Sequence, residues 1–400
     1  MKKKIAILVN GLSDNGAARV AANLSVYLPD EEYLKTLIVS DVTENDYPYE
    51  GELIDLNIKG SENPIVKLFN SLKRIKKVKK IKSEKKFDTT ISFLPNPNLI
   101  NILSKKNDKI IISVRNYMSE NLKEKKPYIS YIYSNVYKYI YNRADLIVVV
   151  SKAIKQDLIQ NFNVQEKKIK VIYNFYDIDK IRLLGNEEID TEFKDIFNHP
   201  TIITAGRLSF QKGQWHLLRA FKSIKNELSE VKLIILGQGT LENELKKLAL
   251  ELGIEEDVHF LGFQNNPFKY VSKSDVYVFP SLYEGFPNAL SEAMACGLPV
   301  ISTDCQSGPR EILEPSLKTS DSATSKMILG KYGILVPPMD GRNYSSKDSL
   351  TTEEKILAQS VIQILKDRDL LEYYKDQSNK RIIDFQKEQI ISEWESIIKY

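Results

Sequence analysis

Glu284-Gly285-Phe286-Pro287-Asn288-Ala289-Leu290-Ser291-Glu292, continued by Ala293-Met294-Ala295-Cys296-Gly297-Leu298-Pro299-Val300, is the stretch whose reading decides the fold. Just before it, Asp275-Val276-Tyr277-Val278-Phe279-Pro280 is a short apolar run closed by proline, the pattern of a buried strand. Gly285 and Pro287 keep the following residues out of regular structure. From Asn288 the order Ala, Leu, Glu, Ala, Met, Ala favours helix until Gly297 and Pro299 stop it. A helix entered this way begins at the carboxyl edge of a sheet, where its first-turn N–H groups and partial positive charge form a seat for phosphate. Two carboxylates eight residues apart flank that start. Glu292, one turn in, can accept from a vicinal diol such as a ribose, and Glu284 from the hydroxyls of a second sugar-like group. Either glutamate alone also fits a helix that merely carries acids.

Working outward, 400 residues exceed the roughly 250 to 300 at which one core stops growing, so two domains are expected. A composition of 42% hydrophobic and 28% charged residues is that of a soluble globular chain. Cys296 and Cys305 are nine apart, which is neither a zinc spacing nor a disulfide framework, and they fit a reducing cytoplasm. Met1-Lys2-Lys3-Lys4 followed by Ile5-Ala6-Ile7-Leu8-Val9 imitates a signal peptide, but the apolar run is short and reads better as a first buried strand. No run approaches the roughly 18 to 20 apolar residues of a membrane span, so any membrane contact is expected to be peripheral.

Strand-like segments at 5–9, 35–40, 52–56, 88–93, 109–114, 145–150 and 169–173 alternate with helical ones, and the pattern restarts at 201–205, 231–236, 258–261, 275–279, 300–303 and 332–336. Such alternation predicts two doubly wound α/β domains with parallel sheets. The first strand runs into Gly11-Leu12-Ser13-Asp14-Asn15-Gly16-Ala17-Ala18-Arg19, a loop that ends at a helix start and offers amides to an anion, although a plain turn reads equally well. It is neither a Rossmann fingerprint nor a Walker loop. Ser151 is placed to cap a helix. Asn174 to about Pro200 is polar and broken, and Ser316 to Lys326 reads as a loop insertion.

Residues 64–86 are the charge anomaly. Ile65, Leu68, Phe69, Leu72, Ile75, Val78 and Ile81 form one stripe, while Lys67, Lys73, Arg74, Lys76, Lys77, Lys79, Lys80, Lys82, Lys85 and Lys86 face away, against the single acid Glu84. This basic amphipathic helix is either a solvated face on a core-packed helix or a site for lipid head groups or the phosphates of a lipid-linked acceptor. Nucleic acid is disfavoured because no reader motif accompanies it. Tyr128, Tyr131, Tyr133, Tyr137, Tyr139 and Tyr141 with Lys125, Lys126 and Lys138 suit a lipid interface or simple packing.

In order and spacing, Gly16, Ser151, Asn174, Gly206-Arg207-Leu208 with Lys212-Gly213, Leu236-Gly237-Gln238-Gly239 and the Glu284 to Glu292 stretch resemble the GT-B glycosyltransferases, specifically the large retaining family marked by Glu-x7-Glu. The resemblance spans nearly the whole chain. It implies two Rossmann-like domains facing a cleft, with 1–173 binding acceptor, 174–199 as linker, 200–380 binding nucleotide-sugar, and 381–400 crossing back to the first domain. It implies that Arg207 and Lys212 neutralise a diphosphate in place of a metal ion, and that no cofactor is required. Gly16 and the amides from Gly285, Phe286, Pro287, Asn288, Ala289 and Leu290 are expected to hold phosphate and sugar oxygens, Glu284 the sugar hydroxyls and Glu292 the ribose. Arg207, Lys212 and Glu284 are the expected catalytic residues, and retention of anomeric configuration is implied by the family alone.

Two departures from the family pattern concern the first domain. The opening loop has Asn15 and Ala18 where Gly and Glu are common, and the strand end that often carries a histidine reads Ser113-Val114-Arg115-Asn116. Arg115 and Asn116 take that place as candidate acceptor residues, with Lys76, Lys77 and Lys80 of the basic helix; all three histidines, His199, His216 and His259, lie in the second half. Asp177-Ile178-Asp179 and Asp367-Arg368-Asp369 read as helix capping or surface charge rather than metal sites. The 61–64, 262–267 and 307–311 segments are similar to bacterial transferases that extend lipid-linked oligosaccharides with N-acetylhexosamines. The implied donor is a UDP-sugar, UDP-GalNAc or UDP-GlcNAc, and the implied acceptor a saccharide on undecaprenyl diphosphate at the cytoplasmic membrane face. A non-catalytic scaffold of the same fold is the alternative.

Overall fold

A computed structural model describes residues 1–13, 16–42, 46–61, 63–123, 126–319 and 321–399. The chain forms two compact units, Met1–Phe175 with Lys387–Tyr400, and Tyr176–Gln386.

The first unit contains β1 (Lys3–Leu8), β2 (Tyr33–Val39), β3 (Glu52–Asp55), β4 (Thr89–Phe93), β5 (Lys109–Val114), β6 (Leu146–Val149) and β7 (Ile169–Val171), all parallel, in the order β3-β2-β1-β4-β5-β6-β7. The lysine-led start is thus a strand, and Ile5 to Val9 are at most 2% exposed, as a strand covered on both faces requires. The order reverses between β1 and β4, the point outside whose carboxyl ends such sheets bind ligands. The terminal helix Lys387–Lys399 brings Ile390, Ile391, Trp394, Ile397 and Ile398 into the same core as Ile5, Ile7, Val20 and Leu24. Trp394 is 1% exposed, with its ring 6.0 Å from that of Phe93.

The basic segment is a helix, Pro64–Lys85, but its stripe packs only in part. Val78 is buried, with Ile75 and Ile81 against Ala6, Leu8 and Ile38. Leu68, Phe69 and Leu72 are 62%, 60% and 50% exposed. Two of the cations expected on the outer face are inside: Arg74 donates to the Ile58 carbonyl at 2.6 Å, and Lys82 lies 2.8 Å from Asp108 and 2.7 Å from Asn101 Oδ1. Positions 74, 78 and 82 are one turn apart, so both cations share the face that Val78 turns to the sheet. Lys76 and Lys80 are exposed, and Lys77 reaches the Leu56 carbonyl at 2.7 Å. The tyrosine helix, Pro127–Tyr141, packs through one face. Tyr133, Tyr137 and Tyr141 form an inward ladder with centroids 5.9 and 5.1 Å apart, whereas Tyr128, Tyr131 and Tyr139 are exposed. Lys125 and Glu62 lie outside the described residues.

The second unit contains β8 (Thr201–Ala205), β9 (Lys232–Leu236), β10 (Val258–Gly262), β11 (Val276–Phe279), β12 (Val300–Thr303), β13 (Ile328–Leu329) and β14 (Ile334–Val336) in the order β10-β9-β8-β11-β12-β14-β13. All pair in parallel except β13, which runs antiparallel to β14 and is too short to show in the sequence. The order reverses between β8 and β11.

The expected linker over 174–199 is corrected: from Tyr176 onward this stretch packs within the second unit. Its helix Ile178–Gly185 is tied through Ser272 Oγ to the Gly185 carbonyl at 2.6 Å and through Asn266 to the Leu184 carbonyl at 2.8 Å. Phe193 and Phe197 flank the Tyr270 ring. At the other boundary, residues 381–386 also belong to this unit, and only the helix from Lys387 joins the first. Asp177 and Asp367 cap their helices, accepting from the amides of Lys180 and Leu370.

Candidate functional site

The site is built on the two loops that leave the reversal point of the second sheet. The loop after β8 carries Arg207, turns through a single 3-10 turn at Phe210–Lys212, and enters the helix Gln214–Glu227 at Gly213. Gly213 has φ 61°, and a Cβ there would meet the Pro280 carbonyl at 2.5 Å, so only glycine lets the loops approach this closely. The second loop follows β11. Its Leu282 amide donates to Gln211 O at 2.8 Å, and Gln211 Nε2 donates to Tyr283 O at 2.9 Å. Gln214 Nε2 holds the Arg207 carbonyl at 3.1 Å. The Gly237 to Gly239 loop after β9 joins through Leu208 N to Gln238 O, 2.9 Å.

This zipping brings Lys212 and Glu284 together. Lys212 Nζ lies 2.5 Å from Glu284 Oε1, with the side chains 20% and 9% exposed, and 5.1 Å from the centroid of Phe279. Sequence reasoning assigned both residues to a ligand and missed their pairing. Seventy-two residues separate them, so only the fold reveals it. Arg207 stands exposed on the same loop.

From Glu284 the chain passes through Gly285, Phe286 and Pro287 into the helix Asn288–Ala295, whose cap residue, Pro287, has no side-chain oxygen to offer the first-turn amides. Ala289 and Leu290 lie in that first turn, and Glu292 is half-buried one turn in. Beneath them the Tyr277 phenol, fully buried, donates to the Ala205 carbonyl at 3.1 Å. Burial pushes its pKa up, with the Glu292 and Glu284 carboxylates adding to the effect. Burial, reinforced by Glu292, also pushes the Cys296 thiol up to about 12, so it is a neutral packing group rather than a nucleophile.

The loop has three supports that sequence reasoning did not name. Phe286 meets Phe385 edge-on with centroids 5.3 Å apart; Tyr176 Oη donates to Asn288 Oδ1 at 2.9 Å; and Ser307 Oγ donates to the Gly285 carbonyl at 2.7 Å. The signal for the last was Ser-Gly-Pro in the loop that follows a strand, a turn signature. His216 is structural: its Nδ1 faces Glu354 Oε1 at 2.8 Å, a carboxylate that also accepts from Arg219 Nε at 2.9 Å.

Arg207, Lys212, Glu284 to Leu290 and Glu292 therefore share the second unit, around the carboxyl ends of β8 and β11. The other candidates belong to the first. Gly16 is the exposed first residue of the helix Gly16–Tyr27, while Asp14 and the Asn15 departure lie outside the described residues. Arg115, just past β5, is tethered to Asn174 Oδ1 and lies over the Phe93 ring at 5.7 Å; Asn116 is exposed. Ser151 caps its helix as expected, accepting from Ile154 N at 3.1 Å.

Comparison with known proteins adds an independent line. Residues 14–180 match the model described as Glycosyltransferase Family 4, and residues 186–318 the one described as Glycosyl transferases group 1. An uncharacterized glycosyltransferase from Methanocaldococcus jannaschii is 40% identical, over 87% of this chain and 88% of its own. The Campylobacter jejuni N-acetylgalactosamine-N,N'-diacetylbacillosaminyl-diphospho-undecaprenol 4-alpha-N-acetylgalactosaminyltransferase is 31% identical, over 97% of each chain. Among solved structures, sucrose-phosphate synthase from Thermosynechococcus elongatus superposes with a TM-score of 0.76 at 18% identity, covering 100% of this chain and 98% of that one. Anabaena HepE, solved in complex with UDP, does so with a TM-score of 0.73 at 19% identity, covering all of both.

Proposed function

The chain belongs to the GT-B glycosyltransferases of group 1 and family 4, and from that premise we propose that it moves an N-acetylhexosamine from a UDP-sugar to a lipid-linked saccharide, with retention and without a metal ion. The observation that carries the donor side is the Lys212–Glu284 pair at the sheet reversal, beside Arg207 and the helix start at Asn288. In this reading Arg207 and Lys212 take the diphosphate, Glu292 the ribose, and Glu284 with the Gly285 to Leu290 amides the sugar. The bond from C1 to the β-phosphate oxygen breaks as the acceptor hydroxyl oxygen bonds C1. UDP leaves with the electron pair, and the hydroxyl proton passes to its phosphate oxygen. Lys212 and Arg207 stabilise the charge that grows on that oxygen, which is where fixed cations lower a barrier most. The UDP named with the Anabaena structure and the diphospho-undecaprenol acceptor named with the Campylobacter relative support this choice of donor and acceptor.

Thermal unfolding in the presence of a panel of UDP-sugars tests the donor, because a ligand that binds the folded state stabilises it. The reading predicts protection by UDP and stronger protection by one UDP-N-acetylhexosamine. Glu292→Ala should weaken UDP binding about 10- to 100-fold, the value of hydrogen bonds to a charged acceptor. Unchanged affinity in a normally folded variant would sink the ribose role.

For the acceptor side, this reading has the protein act peripherally at an anionic cytoplasmic membrane face. Among the described residues no helix is long and apolar enough to cross a membrane. The helix Pro64–Lys85 instead exposes Leu68, Phe69 and Leu72 next to Lys67, Lys73 and Lys76, a combination that suits insertion into a lipid interface. Replacing Leu68, Phe69 and Leu72 together by serine should weaken sedimentation with phosphatidylglycerol vesicles by about tenfold or more and leave unfolding temperature unchanged. Equal vesicle binding by the triple variant would remove this helix from the membrane reading.

A further inference from the structure

The Gly285 to Pro287 loop is held from behind, by the segment that follows β12. Ser307 is 7% exposed and adopts φ 68°, left-handed backbone that a serine enters at a cost. From that position its Oγ donates to the Gly285 carbonyl at 2.7 Å. Gly308 follows at φ 91°. A Cβ there would stand 2.5 Å from Pro287 Cδ, 3.2 Å from Phe286 Cα and 3.3 Å from the Gly285 carbonyl oxygen. Gly308 therefore lies flat against three consecutive loop residues, a surface that no other amino acid can provide.

This buttress is itself anchored. Arg310 Nε donates to Asp304 Oδ1 at 3.0 Å, and the rest of its guanidinium reaches Asp304 Oδ2 and the carbonyls of Lys318, Asp321 and Ser322. Arg381 holds the carbonyls of Glu311 and Ile312 at 2.7 and 3.0 Å. Asp304 and Arg310, paired on either side of Ser307, fix the ends of its segment, and this is how the unfavourable backbone persists.

The Ser307 bond has a directional consequence. A trans peptide sets C=O and N–H on opposite sides of one plane. With the Gly285 carbonyl turned inward to Ser307, the amide of the same peptide, Phe286 N–H, faces away from the buttress. The orientation of the loop is thus set by Ser307 and Gly308 and not by β11 alone. The β8 loop carrying Arg207 and Lys212 is fixed differently, through Gln211 to Leu282 and Tyr283.

We propose that Ser307 and Gly308 are positioning residues for the hexose end of the donor: they fix the Gly285 to Pro287 loop so that the site discriminates a UDP-sugar from UDP. The proposal rests on the donor site assigned above, and it separates that site into a diphosphate half tied to β8 and a sugar half tied to Ser307.

The test is the ratio of two dissociation constants measured by calorimetry, for UDP and for the UDP-sugar that best protects the wild-type protein from unfolding. Ser307→Ala keeps the backbone but removes the bond, and Gly308→Ala forces the loop outward. The expected result for Ser307→Ala is UDP affinity within about twofold of wild type and UDP-sugar affinity about tenfold weaker, with a larger loss in Gly308→Ala. Should Gly308→Ala not fold, Ser307→Ala decides alone. An unchanged ratio overturns the proposal, and so does an equal loss for both ligands, which marks a merely structural role. If the wild-type protein binds no UDP-sugar, the donor assignment itself has failed. That result is read from the wild type before any variant.

Discussion

Lys212→Ala is expected to lose about 10²- to 10³-fold in kcat/KM for UDP-sugar turnover, the range seen when one fixed donor at a developing oxyanion is removed. Two effects combine in that loss. The leaving diphosphate loses a charge-assisted partner just as its negative charge grows. In addition, Glu284, only 9% exposed, loses the ammonium 2.5 Å away that balances it. A carboxylate buried without its partner is costly and draws the loop toward water, which disorders the sugar end as well. The double variant Lys212→Ala/Glu284→Ala separates the two effects. If the orphaned acid contributes, the double variant is less damaged than the product of the single losses, the non-additivity expected of residues in contact. Steady-state kinetics on the three variants, with unfolding curves to check their integrity, provides the measurement. A Lys212→Ala enzyme within threefold of wild type would remove Lys212 from the reaction.

Trp394→Ala is expected to destabilise the first unit by about 3 to 5 kcal/mol, the usual cost of a large aromatic truncated in a close-packed core. Trp394 is 1% exposed and shares its cluster with residues of β1, β4 and the helix Gly16–Tyr27, so no single neighbour can close the space it leaves. Because Tyr176–Gln386 has its own core, the expected signature in urea is an early transition for the first unit. Protection of the later transition by UDP should be retained. A single transition shifted by less than about 1 kcal/mol would show that the terminal helix is dispensable.

The strand, loop and helix around Glu284 were legible because each rests on local chemistry. The apolar run ends at Pro280, Gly285 and Pro287 interrupt it, and the helix over Asn288–Ala295 stops before Gly297. The parallel sheets were legible for the same reason, since strands covered on both faces leave uninterrupted apolar runs. What escaped depends on residues distant in sequence or on backbone that side chains conceal. The Lys212–Glu284 pair needs two loops to be zipped together first. Ser307 shows nothing of its left-handed φ. Lys82 and Arg74 were counted as solvent-facing because a lysine or arginine is almost never buried unless paired, and the pairing groups, Asp108 and the Ile58 carbonyl, lie in other segments. The stretch after Tyr176 was read as a linker because Phe193, Ile196 and Phe197 occupy a single short 3-10 segment, too brief to establish a period.

The terminal helix Lys387–Lys399 also determines when the protein can finish folding. The unit translated first lacks one wall of its core until Trp394 has emerged, whereas the unit between its two halves already has every residue it needs. The half made first is thus completed last, and through the synthesis of more than 200 intervening residues the core that Trp394 completes stays open. Chaperone dependence and aggregation during expression should track that interval, and a nick before Lys387 would act on the core of the first unit.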